Sequence, residues 1–420
     1  MSERLLIRGG DVIDTEPEPV LHRGADVLVD GGVIVAVGPR LDAAGAQVID
    51  AGRRIVLPGF VDTHRHTWQA VLRTAAVDDD LGSYLQRVLF GFGPRMRVPD
   101  VRVANLAGAL ECLDSGITTV QDFSHIQYTP AHTDAVLAAL RESGIRAVFG
   151  YGYPVQDDAG RDLDEVRRVR EQLGKDDANG LLTMALSPVG PAYAPMDEVE
   201  QDWRLADELG LPIVIHIGSG PARERPIEAL AQRDLLRANT LYVHGNSLPD
   251  QELAMIAESG AAMSITPAVE AQMGHGAPMI NRLRAAGITT GLGVDVVTTV
   301  AGDMFSLMRA ALLTSQLAGG PRLRAADALR LATLDGARAL GLADRIGSLR
   351  PGKQADLVLL DADAVNLAGT HDPIGAVVTA AHPGNVHTVL VAGRVVKRDG
   401  RLVHPFPADE VRASAAHLAG

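Results

Sequence analysis

Two histidines stand two residues apart near the end of the first strongly apolar segment of the chain. The segment reads Pro58-Gly59-Phe60-Val61-Asp62-Thr63-His64-Arg65-His66. Because side chains two apart on a strand point to the same face, both imidazoles can reach one point. Neutral imidazole is a common ligand of Zn²⁺ and Fe²⁺. With 13 histidines in 420 residues, about 0.4 such pairs arise by chance, so the metal-site prediction depends on the strand-end position more than on the spacing.

Three further residues with metal-binding or acid–base side chains follow later apolar segments. They are His216, His244 and Asp295, which end the segments 213–215, 241–243 and 291–294. A single histidine at a strand end is usually a hydrogen-bonded rim residue. Three such residues, each at the end of one strand in a regular series, instead indicate a site shared with His64 and His66.

The elements that must position these residues alternate between apolar strands and helices. Eight segments are predicted as strands: Leu57–Asp62, Gly116–Val120, Ile145–Phe149, Leu182–Leu186, Pro212–Ile215, Thr240–Val243, Ala262–Ile265 and Gly287–Leu292. Helical patterns lie between them: Thr133–Glu142, Glu200–Leu209 and Asp250–Glu258 are examples. This alternation is typical of buried parallel sheet. It predicts an α/β fold, a closed (β/α)₈ TIM-like barrel whose strands all end at one mouth.

Both ends of the chain have a different pattern, in which short alternating β segments are separated by glycine and aspartate. We therefore predict three divisions of the sequence. Residues 1–57 and 346–420 together form a small β-sandwich domain, and residues 58–345 form the barrel.

Composition excludes several classes of partner. The net charge is −13, which argues against nucleic acid or an anionic membrane. Cys112 is the only cysteine, so an intramolecular disulfide is impossible and a reducing compartment is expected. The N-terminus lacks the apolar core of a signal peptide, and no segment is long and apolar enough to span a membrane. We expect a cytoplasmic protein with a small-molecule substrate. Formation of a homo-oligomer is possible.

On these residues the chain resembles the amidohydrolase superfamily, and within it the cytosine deaminase and triazine hydrolase (ATZ/TRZ) branch. The resemblance extends over almost the whole chain. It is carried by residues 58–66, Gly116-Ile117-Thr118-Thr119, His216, His244, Asp295 and the segment Gly347–Val358. The last segment is typical of the family's return from the barrel to the small β domain. Gln69, Leu72, Arg73 and the segment 273–278 fit the named branch.

The resemblance implies a set of roles for the converging residues. His64, His66, His216 and Asp295 would ligate one divalent ion, with Zn²⁺ expected and Fe²⁺ as the alternative. Such an ion lowers the pKa of bound water towards about 7, which provides a hydroxide nucleophile at neutral pH. Asp295 would move the proton to the leaving group, and His244 would polarise the substrate. The implied reaction is hydrolysis of a C–N bond in a small cyclic or heterocyclic molecule, as in aminohydrolases and deaminases.

The resemblance also implies that the site is mononuclear. Binuclear relatives bridge two metal ions with a carboxylated lysine from the fourth strand. The chain has only three lysines, Lys175, Lys353 and Lys397, and its fourth strand, Leu182–Leu186, contains none of them. The same absence removes Schiff-base chemistry from consideration.

One position departs from the branch. Deaminases of this branch carry a glutamate three residues after the fifth-strand histidine, where this chain has Ser219. Hydrolysis of an amide or cyclic amide, or a metal-dependent lyase or isomerase reaction on the same site, therefore stays open. A catalytically silent scaffold is a further alternative, against which the complete set of three histidines and one aspartate argues.

Six residues near predicted strand ends are candidates for substrate contact. They are Trp68, Gln69, His125, Ser219, Glu270 and His275. A tryptophan can stack on a planar substrate, and the polar side chains can hydrogen-bond it.

Overall fold

The computed structural model of the protein describes residues 4–42, 44–154, 160–176, 180–219 and 223–420, and their strands form two sheets. The sheet built from both chain ends has nine strands: β1 (Arg4–Asp14), β2 (Val20–Asp30), β3 (Val33–Gly38), β4 (Gln47–Asp50), β5 (Arg54–Pro58), β14 (Leu357–Asp361), β15 (Val386–Val391), β16 (Arg394–Arg398) and β17 (Arg401–Leu402). The other sheet has eight: β6 (Phe60–Arg65), β7 (Ile117–Ser124), β8 (Arg146–Tyr151), β9 (Leu182–Leu186), β10 (Ile213–Ile217), β11 (Thr240–His244), β12 (Ala262–Ile265) and β13 (Thr289–Leu292).

The helices of the described ranges mostly follow the strands of the eight-stranded sheet. They are α1 (Leu81–Tyr84), α2 (Val98–Asp114), α3 (Pro130–Ser143), α4 (Leu163–Asp176), α5 (Met196–Leu209), α6 (Pro226–Ala231), α7 (Asp250–Ser259), α8 (Pro267–Met273), α9 (Ile280–Ala286), α10 (Met304–Ala318), α11 (Ala325–Leu331), α12 (Leu334–Ala339), α13 (Pro373–Thr379) and α14 (Ala408–Ala419). A π-helical segment, Leu85–Phe92, continues α1 directly. Within these ranges no helix combines the length and the hydropathy that crossing a bilayer requires.

The eight-stranded sheet is a parallel barrel, as the sequence predicts. Its strands pair in chain order from β6 to β13. Every residue of β6, β7 and β8 is buried, because the barrel interior covers one face and helices cover the other. The three predicted helices lie within α3, α5 and α7. The predicted fold class is confirmed.

The barrel closes between its first and last strands. The backbone N–H of His66 donates to Asp295 O at 2.9 Å, and the N–H of Asp295 donates to His64 O at 2.8 Å. Gly293 allows this approach, since a Cβ there would lie 2.8 Å from His64 O. The barrel can therefore close beside the predicted metal ligands only because residue 293 is a glycine, which has no side chain.

The first barrel strand begins later than the sequence predicts. The predicted strand Leu57–Asp62 crosses a boundary between the two sheets: β5 ends at Pro58 and β6 begins at Phe60. A Cβ at the intervening Gly59 would lie 2.0 Å from Thr118 Oγ1, so the chain passes the barrel wall closely there. The apolar run is continuous across this point, and its pattern alone does not reveal the change of sheet.

The two chain ends form one continuous sheet. β5 pairs in parallel with β1 and antiparallel with β14, which joins the N-terminal strands to the C-terminal strands. The sheet curls so that β3 meets the segment before β14, where Ile34 N donates to Lys353 O at 2.8 Å. A separate small apolar core lies within this curl. The predicted divisions at residues 57/58 and 345/346 stay a prediction.

Candidate metal centre and active-site cavity

Five side chains meet at the carboxyl ends of the barrel strands: His64, His66, His216, His244 and Asp295. Within this set, two overlapping groups have potential ligand atoms within 4.8 Å of one another: His64, His66 and Asp295 form one, and His64, His216 and His244 form the other. The structure therefore brings together all five residues that the sequence singles out at strand ends.

Asp295 presents its two carboxylate oxygens to different partners. Oδ1 lies 3.4 Å from Nε2 of His64 and 3.5 Å from Nε2 of His66. Oδ2 lies 3.7 Å from Nε2 of His244 and accepts from Thr266 Oγ1 at 3.3 Å. One oxygen thus faces the histidine pair, and the other faces His244.

The imidazoles of the first histidine pair are aimed inward by their strand. Nδ1 of His66 is 2.8 Å from the carbonyl oxygen of Phe123 on β7, which leaves Nε2 for the centre of the cluster. Nε2 of His64 lies 3.2 Å from Nε2 of His216. The intervening Arg65 points to the opposite face, where it is buried against Glu111 Oε2 at 2.5 Å. The two histidines and the arginine between them therefore lie on opposite faces, as the two-residue spacing of His64 and His66 predicts.

Burial keeps most of the histidines neutral. It lowers the pKa of His64, and together with the neighbouring histidines it holds the pKa values of His66 and His216 well below the ordinary value. Burial alone raises the pKa of Asp295, but the contacts with the surrounding histidines, His64 first, outweigh it and hold that pKa well below the ordinary value. Neutral imidazoles and an ionised carboxylate are the forms that bind a metal ion.

The donor set fits a divalent metal ion. Nε2 atoms of His64 and His216 face each other at 3.2 Å, and two neutral rings can share only one proton across such a contact. A cation between these nitrogens and Asp295 Oδ1 would satisfy all of them. Three imidazole nitrogens and one carboxylate oxygen match the ligands that Zn²⁺ prefers.

His244 and Asp295 share an unusual backbone conformation. Their φ angles are 73° and 67°, in the left-handed region that residues with a Cβ rarely adopt. Such strain persists only where the surrounding structure enforces it, and it is concentrated at functional sites. The hydrogen bonds across the closing strands hold Asp295 in this conformation.

A buried carboxylate stands behind His244. Oε1 of Glu270 lies 3.3 Å from Nδ1 of His244 and accepts the Thr266 N–H at 2.8 Å. The amide of Asn246 donates to Oε2 at 3.3 Å. Burial alone lowers the pKa of His244, but the Glu270 hydrogen bond and the Asp295 charge outweigh it and raise that pKa. Because Glu270 holds Nδ1 of His244, it is Nε2 of the ring that is turned to the cavity.

A cavity of about 420 Å³ opens in front of the cluster. His66, His216, His244 and Asp295 line it, whereas His64 lies deeper, with its side chain fully buried. The rest of the described lining is mostly leucine, tyrosine, valine and phenylalanine. This volume suits a small organic molecule.

Three of the six predicted substrate residues lie on this cavity and three do not. His125, Ser219 and His275 line it. Trp68 is fully buried edge-on against His125, with ring centroids 5.7 Å apart, and Gln69 donates to Tyr84 at 2.6 Å. The structure thus places Trp68 and Gln69 one layer behind the lining, because the short 3-10 helix Thr67–Leu72 after β6 turns them into the protein. Glu270, on α8, also lies behind the lining.

Sequence reasoning missed one wall of the cavity. Leu81, Leu85 and Leu89, from α1 and the π-helical segment that follows it, line the cavity together with Tyr84. The leucines recur every four residues, a helical spacing that was available as a signal in the sequence. The residues predicted for the site all lie at or near strand ends, whereas these leucines lie on helical segments.

Known proteins match this chain over nearly its full length. The 5-methylthioadenosine/S-adenosylhomocysteine deaminase of Symbiobacterium thermophilum is 36% identical over 442 aligned residues, which cover 99% of each protein. A protein of the same name from Haloarcula marismortui is 31% identical and covers 100% of this chain and 98% of its own.

Solved structures agree with the barrel and its appended sheet. An adenosine deaminase from Xanthomonas campestris with bound zinc superposes with a TM-score of 0.88 at 28% identity, covering 98% of this chain and 97% of its own. An atrazine chlorohydrolase from Arthrobacter aurescens, complexed with zinc, superposes with a TM-score of 0.86 at 26% identity and covers 99% of this chain and 100% of its own.

A family model described as "Amidohydrolase family" matches residues 55–396, a range that contains the whole barrel and most of the C-terminal strands. The match includes each of the five converging residues. On this match and on the full-length relatives, the chain belongs to the amidohydrolase family.

Proposed function

We propose that the protein is a mononuclear metal-dependent hydrolase that cleaves a C–N bond at the ring of a small nitrogen heterocycle, with Zn²⁺ as the metal ion. The convergence of His64, His66, His216 and Asp295 at the floor of one cavity carries the proposal. The family membership and the deaminase names of the full-length relatives support it. A divalent ion at this position would supply the Lewis acidity that lets water attack at neutral pH.

The two carboxylate oxygens of Asp295 can have separate roles, one in binding the metal ion and the other in proton transfer. Oδ1 faces His64 on β6 and His66 directly after it, so we assign it to the metal. Oδ2 faces His244 and the Thr266 hydroxyl, on the side of the cavity. We propose that Oδ2 accepts a proton from the attacking water and returns it to the leaving nitrogen.

His244 is placed to bind the substrate atom that becomes negative. Its Nδ1 is held by Glu270, so Nε2 is the nitrogen that remains for the substrate. A donor fixed in advance towards developing charge is a large source of transition-state stabilisation. Glu270 acts through His244 and is a positioning residue.

Ser219 and His275 occupy the side of the cavity near the position of the missing glutamate. Ser219 Oγ lies 3.5 Å from His275 Nδ1, and His275 Nε2 has no hydrogen-bond partner among the described residues. Burial lowers the pKa of His275 to about 4, so the ring is neutral at pH 7. We propose that this pair hydrogen-bonds a ring nitrogen of the substrate without protonating it.

Serine at position 219 favours one further candidate reaction, hydrolysis of a cyclic amide. A carbonyl carbon needs less activation by ring protonation than the carbon of an aromatic ring. Release of ammonia or an amine with the ring intact would support the first reaction, and a ring-opened product would support the second.

The test is a turnover screen on metal-replete protein. Aminopurines, aminopyrimidines, pterins, aminotriazines and cyclic amides would be incubated in H₂¹⁸O, with ammonia and product mass as readouts. We expect one zinc ion per chain and one ¹⁸O in the product. Absence of bound metal together with unchanged stability in chelator would favour a silent scaffold, and a product without ¹⁸O would favour a lyase or isomerase.

Replacing the proposed proton carrier gives the decisive variant. Asp295→Asn should lower kcat by about 10³-fold or more, because an amide cannot accept the proton. Asparagine tolerates the left-handed conformation, so the fold should persist by circular dichroism. Asp26→Asn is the matched control: Asp26 is equally buried and accepts two backbone N–H groups in the terminal sheet. Unchanged kcat in Asp295→Asn would refute the role.

A further inference from the structure

We infer that the cavity selects an uncharged heterocycle with an apolar substituent, and that it discriminates against nucleosides and zwitterionic substrates. The inference rests on the proposed function for the reaction, while the selectivity is argued from the cavity alone. This selectivity differs from that of the substrates in the relatives' names, since 5-methylthioadenosine carries a ribose diol and S-adenosylhomocysteine carries an amino acid group as well.

The first observation is the charge of the lining. Among the described residues that line the cavity, Asp295 is the only carboxylate, and arginine and lysine are absent. Asp295 is engaged by the histidine cluster. Away from the histidine–aspartate cluster, a carboxylate or ammonium group on a substrate would therefore lose its water without gaining an ionic partner from the described lining. Among the described lining residues, a ribose diol would equally find no free carboxylate acceptor.

The second observation is that the hydroxyl groups of the cavity tyrosines are each hydrogen-bonded within the protein. Tyr153 OH donates to Asp202 and Tyr193 OH donates to the backbone oxygen of Ser219, whereas Tyr84 OH accepts from Gln69 and keeps its own proton. These side chains therefore offer mainly ring surface to a ligand. Apart from His244 in the cluster, the groups of the described lining that remain for hydrogen bonding are neutral, such as His275 Nε2 and the Ser187 hydroxyl, which suits ring nitrogens and amino groups.

The third observation is an apolar wall formed by Leu81, Leu85 and Leu89, called here the leucine wall. Their four-residue spacing places them on one face of the helical segment, which lines the cavity. Gln86 and Arg87 lie on the exposed face of the same segment. Two further lining residues, Val189 and Tyr193, are 38% and 42% exposed, which is high for large apolar side chains. An apolar substituent would cover this surface.

The experiment compares three aminotriazines that share one ring and one leaving group. Their remaining substituent is n-propylamino, 2-carboxyethylamino or 2,3-dihydroxypropylamino, which tests an apolar, a charged and a diol tail of similar length. We expect kcat/KM for the propyl compound to exceed that of each of the others by about 10-fold or more. 5-Methylthioadenosine and S-adenosylhomocysteine are assayed beside them and should be poorer substrates than the propyl compound.

A variant of the leucine wall tests whether these side chains cause the selectivity for the apolar substituent. Leu85→Asn keeps the side-chain size and should reduce the propyl-to-carboxyethyl ratio of kcat/KM by about 5-fold or more. Gln86→Ala, on the exposed face of the same segment, should leave the ratio unchanged. Circular dichroism and zinc content show that each variant is folded and metal-replete. An unchanged ratio in Leu85→Asn would overturn the assignment to the wall.

Calorimetric binding of the three compounds separates this inference from the proposed function. If none is hydrolysed but the propyl compound binds about 10-fold more tightly than the others, the reaction is wrong and the inferred selectivity stands. If the carboxyethyl or the diol compound binds equally well or better, the selectivity is wrong whatever the reaction. Turnover of either nucleoside at or above the rate of the propyl compound would also overturn it.

Discussion

Glu270 illustrates how a residue outside the cavity can determine what a cavity residue does. It is buried, and its carboxylate is held by the Thr266 N–H and the Asn246 amide while it faces Nδ1 of His244. An imidazole whose second nitrogen has a fixed partner keeps one tautomer and one ring orientation. The substrate-facing nitrogen of His244 is therefore specified by a contact on the opposite side of the ring.

Substitution of Glu270 should lower kcat more than it changes KM. Glu270→Ala removes the acceptor from His244 Nδ1 and should reduce kcat by about 10- to 100-fold, while Glu270→Gln keeps an oxygen at that position and should restore most of the rate. Steady-state kinetics of both variants, with zinc content measured in parallel, provide the check.

Glu252→Gln is the matched control for that experiment. Glu252 is buried to the same degree, but it accepts the backbone N–H groups of Ile227 and Glu228 away from the cavity. Its substitution should affect stability and leave kcat unchanged. Equal effects on kcat at both positions would mean that Glu270 acts only through the stability of the fold.

The junction of β6 and β13 is the element on which the proposed metal centre depends. His64 and His66 lie on one side of this junction and Asp295 on the other, and reciprocal backbone hydrogen bonds connect them. Gly293 sits where a Cβ would be within 3 Å of the His64 backbone. Packing at this junction therefore sets the distances between ligands that are far apart in the sequence.

Gly293→Ala should loosen this junction and the metal centre together. The added methyl group must displace the His64 backbone, so we expect the free energy of unfolding to fall by about 1–3 kcal/mol. Zinc occupancy should fall as well, because the ligand distances change. Urea denaturation and metal analysis measure the two effects. Gly160→Ala, where a Cβ would meet no atom of the described residues within 4 Å, should change neither. Wild-type zinc affinity in Gly293→Ala would contradict the argument.

At the scale of the whole molecule, a buried ion pair joins the barrel to the terminal sheet. Arg146 on β8 contacts Asp356, just before β14, with Nη2–Oδ1 at 2.9 Å and Nε–Oδ2 at 3.0 Å. The two side chains are 3% and 2% exposed, so neither charge can be solvated by water if the other is removed. Asp356 also accepts the Ala392 N–H at 2.7 Å, which ties β15 to the same contact.

Breaking this pair should destabilise the molecule strongly. Asp356→Asn leaves the buried Arg146 charge without its counter-ion, at an expected cost of about 3–5 kcal/mol in the free energy of unfolding. Adding Arg146→Met to the same chain should cost less than the sum of the two single substitutions, as for any coupled pair. Denaturant midpoints measure both quantities. Asp409→Asn, in the exposed pair with Arg412, should cost less than about 1 kcal/mol, and additive losses in the double variant would contradict the coupling.

Much of the barrel was predictable because its signals are local. Continuous apolar strands alternate with helical patterns, and each strand shows its own end by the change to polar residues. The largest error in a predicted strand start is that of the first strand, where the apolar run passes from one sheet to the other across Gly59. A hydrophobic pattern indicates only that residues are buried, and the residues on both sides of this boundary are buried. The pattern therefore does not show where one sheet ends and the other begins.

The converging residues were predictable for the same reason. In a parallel barrel all strands end at one mouth, so a polar residue at each strand end can be placed from local pattern and topology. His64, His66, His216, His244 and Asp295 meet in the structure as that rule requires. Their roles at the metal stay a proposal.

What the sequence by itself determined was therefore the barrel, the terminal sheet and the set of strand-end residues. Only the tertiary structure decided that Glu270 stands behind His244, that Trp68 lies under the cavity lining, and that the leucine wall faces the substrate. Local periodicity fixes which face of an element is apolar. It does not fix what that face meets, because the contact partners are brought together only when distant segments pack against one another.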